Sequence, residues 1–284
     1  MIPDRDTNFV YFSEKLMEEP EYNECFTRIT AILNKYKIQY SVLRETKDIW
    51  ARDYMPIQID DNSFVQFKYE PSYLKDDLEF QSDPKIVCPA NGIAPVYSQI
   101  NLDGGNVIKW YDKAIITDRV FTENDDLELE PVELVNRIEK ALNCEVIIIP
   151  ALKAAYDMTG HADGYVRFLN SNTILVNELE KEFKYWQDGF LKAVKQHGLK
   201  YIEVPWFEYK DKEYPDSAIG LYLNYLQVGN LIVVPVFEMA GNRDQDVIDL
   251  FTKTFPDKFI EPVQINTVGQ NGGLMNCITW NIKR

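Results

Sequence analysis

Apolar residues recur along the chain with two different spacings, which alternate in a fixed order. Spacings of three and four residues mark amphipathic helices, whereas an apolar residue at every second position marks a strand. The pattern predicts helices at 21–36, 128–143, 179–198 and 243–256. It predicts single strands at 8–13, 39–45, 144–150, 200–205, 258–265 and 275–283.

Other apolar runs come in pairs separated by turn residues, which is the pattern of a β-hairpin. The predicted hairpins are 55–69, 108–120, 164–177 and 220–237. The polar, proline-containing segment 70–95 is predicted to be a long loop. A hairpin, a helix and a further strand therefore recur as a unit, which favours mixed α/β modules in a radial or pseudosymmetric array over a doubly wound parallel sheet. No linker-like tract interrupts the chain, so residues 1–284 are predicted to form one domain.

The chain is acidic, with a formal net charge of −15 over 284 residues. Such a surface repels nucleic acid and anionic membranes, so neither is expected as a partner, and it mildly favours a cationic ligand. No apolar run approaches the roughly 20 residues that span a bilayer. The N-terminal residues lack the features of a secretory signal, and the expected location is therefore cytoplasmic.

The four cysteines are far apart and form no CxxC pair. A structural zinc site or a disulfide framework is therefore not expected. Cys25 and Cys144 lie in apolar patterns typical of core thiols. Only Cys277 has a glycine-flanked setting, GQNGGLMNCITW, on what is predicted to be the last strand. A thiol in a strand is commonly a small core residue, and it becomes a nucleophile only where its thiolate is stabilised.

Two further motifs place acids and an imidazole beside glycines. In GHADGYVRF, His161 and Asp163 would project from one face of an extended strand. In NLDGGNVI, Asp103 directly precedes a double glycine, which permits close backbone approach. Taken alone, the His161 motif is better explained as an ordinary turn, and the Asp103 motif is a weak signal. Together they supply the groups that acid–base chemistry requires.

A fourth motif, DIWARDYMPIQ, combines an aromatic face with charged groups at Trp50, Arg52 and Asp53. Carboxylates around a thiol raise its pKa, and a cationic substrate reverses that effect by neutralising them. The combination is therefore suited to a positively charged electrophile. A guanidinium group fits best because it is planar and pairs with carboxylates through two parallel hydrogen bonds.

In this order the four motifs resemble those of the agmatine deiminase and Porphyromonas-type peptidylarginine deiminase family, part of the guanidino-group-modifying superfamily. The hairpin segment LYLNYLQVGNLIVVPVF is also similar to the family's Tyr-x-Asn hairpin. The resemblance implies a pentein-like, five-bladed pseudosymmetric α/β propeller with the substrate on its central axis. It implies a mechanism without metal or cofactor.

Residue by residue, the resemblance implies that Cys277 is the nucleophile and His161 the general acid and base. Asp103 would support proton handling or binding. The family typically has glutamate at that position, so this chain's side chain is shorter by one methylene.

The resemblance also implies a set of substrate-binding residues. Asp53 and Asp163 would grip the guanidinium group, Trp50 would line the pocket, and Asn224 would lie beside it.

The expected reaction is hydrolytic deimination of a small cationic guanidino compound through a covalent thiouronium, with agmatine giving N-carbamoylputrescine and ammonia. Peptidylarginine or free arginine, giving citrulline, is the close alternative, and amidino transfer uses the same chemistry. A non-catalytic guanidinium-binding protein is the alternative of another class. The sequence predicts no oligomeric state.

Overall fold

The computed structural model describes residues 1–284, and its strands form five separate sheets of three strands each. The strands are β1 (Phe9–Ser13), β2 (Gln39–Leu43), β3 (Ile57–Gln58), β4 (Phe64–Lys68), β5 (Val96–Asn101), β6 (Ile108–Lys109), β7 (Lys113–Thr117), β8 (Glu145–Ile149), β9 (Val166–Asn170), β10 (Thr173–Asn177), β11 (Lys200–Val204), β12 (Leu226–Val228), β13 (Leu231–Val236), β14 (Phe259–Gln264) and β15 (Trp280–Ile282). The strand orders are β15-β1-β2, β3-β4-β5, β6-β7-β8, β9-β10-β11 and β12-β13-β14.

Nine α-helices connect or flank these strands. They are α1 (Glu14–Glu18), α2 (Pro20–Lys35), α3 (Ala51–Tyr54), α4 (Pro84–Ala90), α5 (Arg119–Thr122), α6 (Pro131–Leu142), α7 (Lys184–Gln196), α8 (Asp244–Thr254) and α9 (Asn266–Gln270). None combines the length and the apolar character that crossing a bilayer requires.

All five sheets have the same internal arrangement. The middle strand pairs antiparallel with one neighbour and parallel with the other. A parallel pair needs a long crossover, and helical segments provide it in every module. The predicted unit of hairpin, helix and strand is confirmed. The fold is an α/β fold of small sheets, and no sheet closes on itself.

The first sheet differs in the origin of its strands. Its antiparallel strand is β15, from the far end of the chain, which pairs Tyr11 with Trp280 and Phe9 with Ile282. The two ends of the chain therefore share one sheet.

Each long helix buries one apolar face against its sheet. In α6 the buried residues Leu134, Ile138 and Leu142 recur every four positions, and in α7 Trp186 and Phe190 do the same. Full burial of such a side chain contributes roughly 1.5–3 kcal/mol. The predicted helices 21–36, 128–143, 179–198 and 243–256 are confirmed, and α7 begins at Lys184 rather than at 179.

The predicted loop 70–95 is wrong in part, because it contains α4. Asp83 caps this helix by accepting a hydrogen bond from the backbone N–H of Lys85 at 2.8 Å, and Pro84 occupies the first helical position. Both are typical helix-start residues. The helix is too short to show apolar periodicity.

Two predicted strand placements at the candidate residues are also wrong. The last strand covers only Trp280–Ile282, and Cys277 lies in a turn closed by a hydrogen bond from Ile278 N–H to the Leu274 carbonyl at 3.2 Å. His161 and Asp163 are not on a strand face, because a 3-10 turn, Ala162–Gly164, intervenes before β9.

Candidate functional site

The residues selected from the sequence lie at equivalent places in the different modules. Each lies shortly before the edge strand that pairs antiparallel with the middle strand of its sheet. Trp50 and Asp53 precede β3, Asp103 precedes β6, His161 and Asp163 precede β9, Asn224 precedes β12, and Cys277 precedes β15. The five sheets therefore each contribute side chains from the same end of an antiparallel strand pair.

His161 lies between two carboxyl groups in the interior. Its Nε2 atom is 2.8 Å from Asp103 Oδ2, and its Nδ1 atom is 3.5 Å from Asp53 Oδ1. The hydroxyl of Tyr73 donates to the same Asp103 oxygen at 2.9 Å. The backbone N–H of Gly105 donates to Asp53 Oδ1 at 3.0 Å. The imidazole orientation is thus fixed by both acids.

The neighbouring carboxyl groups and burial change the pKa values of both His161 and Asp53. Burial opposes the charged imidazolium, but Asp53 and the hydrogen-bonded Asp103 outweigh it and raise the pKa of His161 to about 10. Burial raises the pKa of Asp53 to about 7, with further repulsion from Asp103 and Asp163, although His161 lowers it. His161 is therefore protonated at neutral pH.

This arrangement predicts a pH dependence of stability. The pKa of His161 rises from 6.5 in the unfolded chain to about 10 in the fold. The stability it contributes is therefore complete below pH 6.5 and is lost as the pH rises through 10. The slope is at most about 1.4 kcal/mol per pH unit. Asp103→Asn should flatten this decline, because it lowers the pKa of His161. Urea unfolding of wild type and Asp103→Asn between pH 6 and 10 measures this pH dependence. Identical pH dependences of the free energy of unfolding would contradict the pairing of His161 with Asp103.

Cys277 contacts an amide and an acid rather than the imidazole. Asn224 Nδ2 donates to Cys277 Sγ at 3.2 Å, and the Asn224 Oδ1 atom accepts from the backbone N–H of Asn276 at 2.9 Å. Asp163 Oδ2 lies 3.6 Å from Sγ and accepts from Asn276 Nδ2 at 2.7 Å. These bonds hold both sides of the turn that carries the thiol.

The surroundings disfavour the thiolate. Burial first, and then the charges of Asp163 and Asp53, raise the pKa of the Cys277 thiol well above its usual value. The thiol is therefore protonated in the free protein at neutral pH. A cation placed between the two carboxyl groups would reverse this effect.

Close backbone packing explains the glycines of the motifs. A Cβ atom on Gly105 would lie 2.5 Å from Asp53 Oδ1 and 2.7 Å from His161 Nδ1. A Cβ atom on Gly273 would lie 2.3 Å from the ring of Trp50 and 3.0 Å from Cys277 Cβ. Trp50, which is half-buried, therefore lies over the turn that carries the nucleophile candidate.

The nearby arginines are part of the framework. Buried Arg52 donates to the Asn281 side chain at 2.5 Å and to the Asn276 carbonyl at 3.3 Å. Arg167 donates to Asp4 at 2.7 Å and stacks on Tyr225. Arg52 therefore anchors the turn of Cys277 to α3.

Two residues of the site were not selected from the sequence. Tyr73 lies in the segment predicted to be a loop, where no local signal indicates a contact with Asp103. Asn276 directly precedes Cys277, and its role depends on Asp163, which is distant in sequence.

We call Asp53, Asp103, His161, Asp163 and Cys277 the central cluster. All five are at least nine-tenths buried, and they combine three carboxyl groups, an imidazole and a thiol. Such a cluster can hold a planar cation beside a sulfur atom. No group of three or more His, Cys, Asp and Glu side chains is arranged to hold a metal ion.

Comparison with known structures finds the same fold in several deiminases. Agmatine deiminase of C. jejuni is 16% identical, with a TM-score of 0.77 over 100% of this chain and 95% of that one. Agmatine deiminase of Enterococcus faecalis is 16% identical, with a TM-score of 0.79 over 100% and 96%. A Cys-to-Ser variant of the C. jejuni enzyme with substrate bound is also similar, at 16% identity and a TM-score of 0.77 over 100% and 96%.

Sequence comparison identifies the family. No curated protein matches the chain. The sequence model of the Porphyromonas-type peptidyl-arginine deiminases matches residues 14–282, which is nearly the whole chain. The chain therefore belongs to the Porphyromonas-type peptidyl-arginine deiminase family, whose members are hydrolases that act on guanidino groups.

Proposed function

We propose that this protein hydrolyses a small guanidino compound through a covalent intermediate on Cys277. The observation that carries the proposal is the central cluster, in which a thiol, an imidazole and three carboxyl groups from separate modules meet in the interior. The five sheets then act as five blades of a pseudosymmetric propeller formed by one domain, residues 1–284. The substrate site lies on its axis.

Asp53 and Asp163 bind the guanidinium group in this proposal. Both are buried, and both raise the pKa of the thiol in the absence of substrate. Two carboxylates match the planar donor pattern of a guanidinium, and the Trp50 ring covers the cation. Binding neutralises the charges that disfavour the thiolate, so the thiol of Cys277 loses its proton to solvent as the substrate binds and attacks as the thiolate. Asn224 steadies the sulfur by its hydrogen bond at 3.2 Å.

The first half-reaction forms a bond between Cys277 Sγ and the guanidinium carbon. The C–N bond to one terminal amino group then breaks, and His161 donates the proton that lets it leave as ammonia. The product is a thiouronium on Cys277. The raised pKa of His161 supports this role, because the imidazole enters the step protonated.

The second half-reaction returns the enzyme to its starting state. His161, now neutral, takes a proton from water, and the water oxygen attacks the thiouronium carbon. The C–S bond breaks and the sulfur leaves as thiolate. The remaining proton of the water then passes to the sulfur, which restores the thiol as the neutral ureido product is released. Asp103 holds His161 Nε2 at 2.8 Å throughout.

The substrate is a linear alkylguanidine in this proposal, and agmatine and arginine are the two candidates. The similar solved structures include two agmatine deiminases, which supports agmatine. The family model supports an arginine side chain. The two candidates have the same guanidinium end and differ only at the far end.

An ammonia-release assay on agmatine, L-arginine, a peptidyl-arginine and methylated arginines tests the proposal. Release from at least one compound is expected, together with a mass-spectrometric adduct on Cys277 in acid-quenched samples. Binding of these compounds without any ammonia release would favour a non-catalytic guanidinium-binding protein.

Gly105→Ala should reduce turnover by about 100-fold, since a displacement of about 1 Å at a catalytic group has that effect. The added Cβ would lie 2.5 Å from Asp53 Oδ1 and 2.7 Å from His161 Nδ1, so both side chains must move. Steady-state kinetics on the best substrate of the panel measures the loss.

Gly164→Ala is the matched control for this variant. It lies in the turn beside Asp163, but nothing lies within 4 Å of its added Cβ and its φ is not positive. Its turnover should stay within about threefold of wild type. Equal losses of turnover in the two variants would show that the loss in Gly105→Ala does not come from displacement of Asp53 and His161.

A further inference from the structure

A small polar cavity with about 10 Å³ of free space opens beside the central cluster. Asp103 and His161 form part of its wall, together with Tyr73 and Thr159. A guanidinium held next to Cys277 has its alkyl chain directed away from the sulfur. The far end of the substrate would therefore reach this cavity on the His161 side of the cluster and would have to widen it on binding.

Arg119 lines this cavity without a carboxylate partner. Its Nη2 atom donates to the backbone carbonyl of Asp157 at 3.2 Å, and the side chain forms no ion pair within 4 Å. Its guanidinium packs on Gly160, because a Cβ there would lie 2.9 Å from Arg119 Nε. Gly160 directly precedes His161. Most arginine donors therefore remain free at the edge of the cavity, and they suit a carboxylate.

Glu123 lines the same cavity but does not pair with Arg119. Its carboxylate accepts from the hydroxyl and the backbone N–H of Ser72, at 2.5 and 2.9 Å. The cavity thus presents a cation and an anion that are kept apart. An α-amino acid carries a carboxylate and an ammonium group on one carbon, which complements this pair.

We propose that Arg119 binds the carboxylate and Glu123 faces the ammonium group of a free α-amino acid, so that the substrate is L-arginine rather than agmatine. This inference rests on the proposed function. Agmatine would leave Arg119 without a carboxylate, whereas its ammonium group could still face Glu123. The preference for arginine then comes from the contact between Arg119 and the substrate carboxylate.

The ratio of kcat/KM for L-arginine to that for agmatine measures this preference. In wild type it should exceed one, and Arg119→Ala should lower it about 10- to 100-fold, the range expected for a charged hydrogen bond. The change should appear mainly in KM for L-arginine. Arg119→Lys should give an intermediate ratio, since it keeps the charge and loses the planar donor pair. L-arginine methyl ester should behave like agmatine in wild type.

Arg137→Ala is the matched control. This arginine lies on α6, where it pairs with Glu133 at 2.9 Å on the surface. The variant should retain the wild-type ratio. A ratio below one in wild type, or an unchanged ratio in Arg119→Ala, would overturn the assignment. Turnover of N-acetyl-L-arginine equal to that of L-arginine would overturn the role of Glu123.

Calorimetric binding to the Cys277→Ser protein separates this inference from the proposed function. L-arginine should bind more tightly than agmatine, and adding Arg119→Ala should remove the difference. Such binding without wild-type ammonia release would overturn the proposed reaction while supporting the Arg119 site. Ammonia release by wild type together with equal binding of the two ligands would support the proposed reaction and overturn the Arg119 site.

Discussion

Cys277→Ser should reduce ammonia release on the order of 10⁴-fold or more, as expected for loss of a nucleophile. A serine hydroxyl is a weak nucleophile unless a base contacts it. Cys277 Sγ bonds with Asn224 and Asp163, and His161 is not among its hydrogen-bond partners. The serine would therefore have no imidazole to activate it. Coupled ammonia assays at substrate saturation measure the loss.

Cys25→Ser is the matched control, because this thiol is also buried but lies on α2 against the apolar core. It should alter stability rather than the chemical step, so folded protein should keep nearly wild-type kcat. Thermal unfolding of both variants separates the two effects. Retention of turnover within about tenfold by Cys277→Ser would remove Cys277 from the mechanism.

Asp163→Asn should change two measurements in opposite directions. The Asp163 carboxyl lies 3.6 Å from Cys277 Sγ and, after burial, is the largest cause of the raised pKa of that thiol. Removing its charge lowers the thiol pKa, so more of the thiol is ionised and alkylation by iodoacetamide at pH 8 should accelerate, by about tenfold if the pKa falls by about 1. Turnover should fall about 100-fold or more, since the guanidinium loses a buried countercharge.

The amide should preserve the local geometry, because its oxygen can still accept from Asn276 Nδ2, now 2.7 Å from the carboxyl oxygen. Asp188→Asn, which removes the same charge from an exposed pair with Lys184 on α7, should change neither measurement. A parallel loss of alkylation and turnover in Asp163→Asn would indicate general damage. It would argue against activation of the thiol by its substrate.

Local patterns in the sequence were sufficient to predict most elements of the fold. The hairpins and the long helices show the spacing of their apolar residues within a short stretch of sequence, and these predictions were confirmed. The helix Pro84–Ala90 was missed, because its seven residues include two prolines. The turn at Cys277 was predicted as strand because apolar residues recur at about every second position in 275–283. Its shape depends on a distant contact, the hydrogen bond from Arg52 N–H to the Cys277 carbonyl at 3.0 Å.

The identity of the candidate residues was predictable, and their mutual contacts were not. Each motif supplies a local reason to select His161 or Asp103, but the 2.8 Å contact joins residues from different modules. Tyr73 and Arg119 were missed for the same reason. Neither lies in a distinctive sequence pattern, and each becomes notable only through the cavity that it lines.

The shared sheet of β1 and β15 has a consequence for the order of events during synthesis. A ribosome makes β15 after every strand of the other four sheets, and β15 can pair only with a strand made near the start. Contacts this distant in sequence form late in folding. Cys277 lies three residues before β15, so a nascent chain can assemble its acids and imidazole while the thiol is still absent. The chain would thus complete its scaffold before it can form any covalent bond to a metabolite.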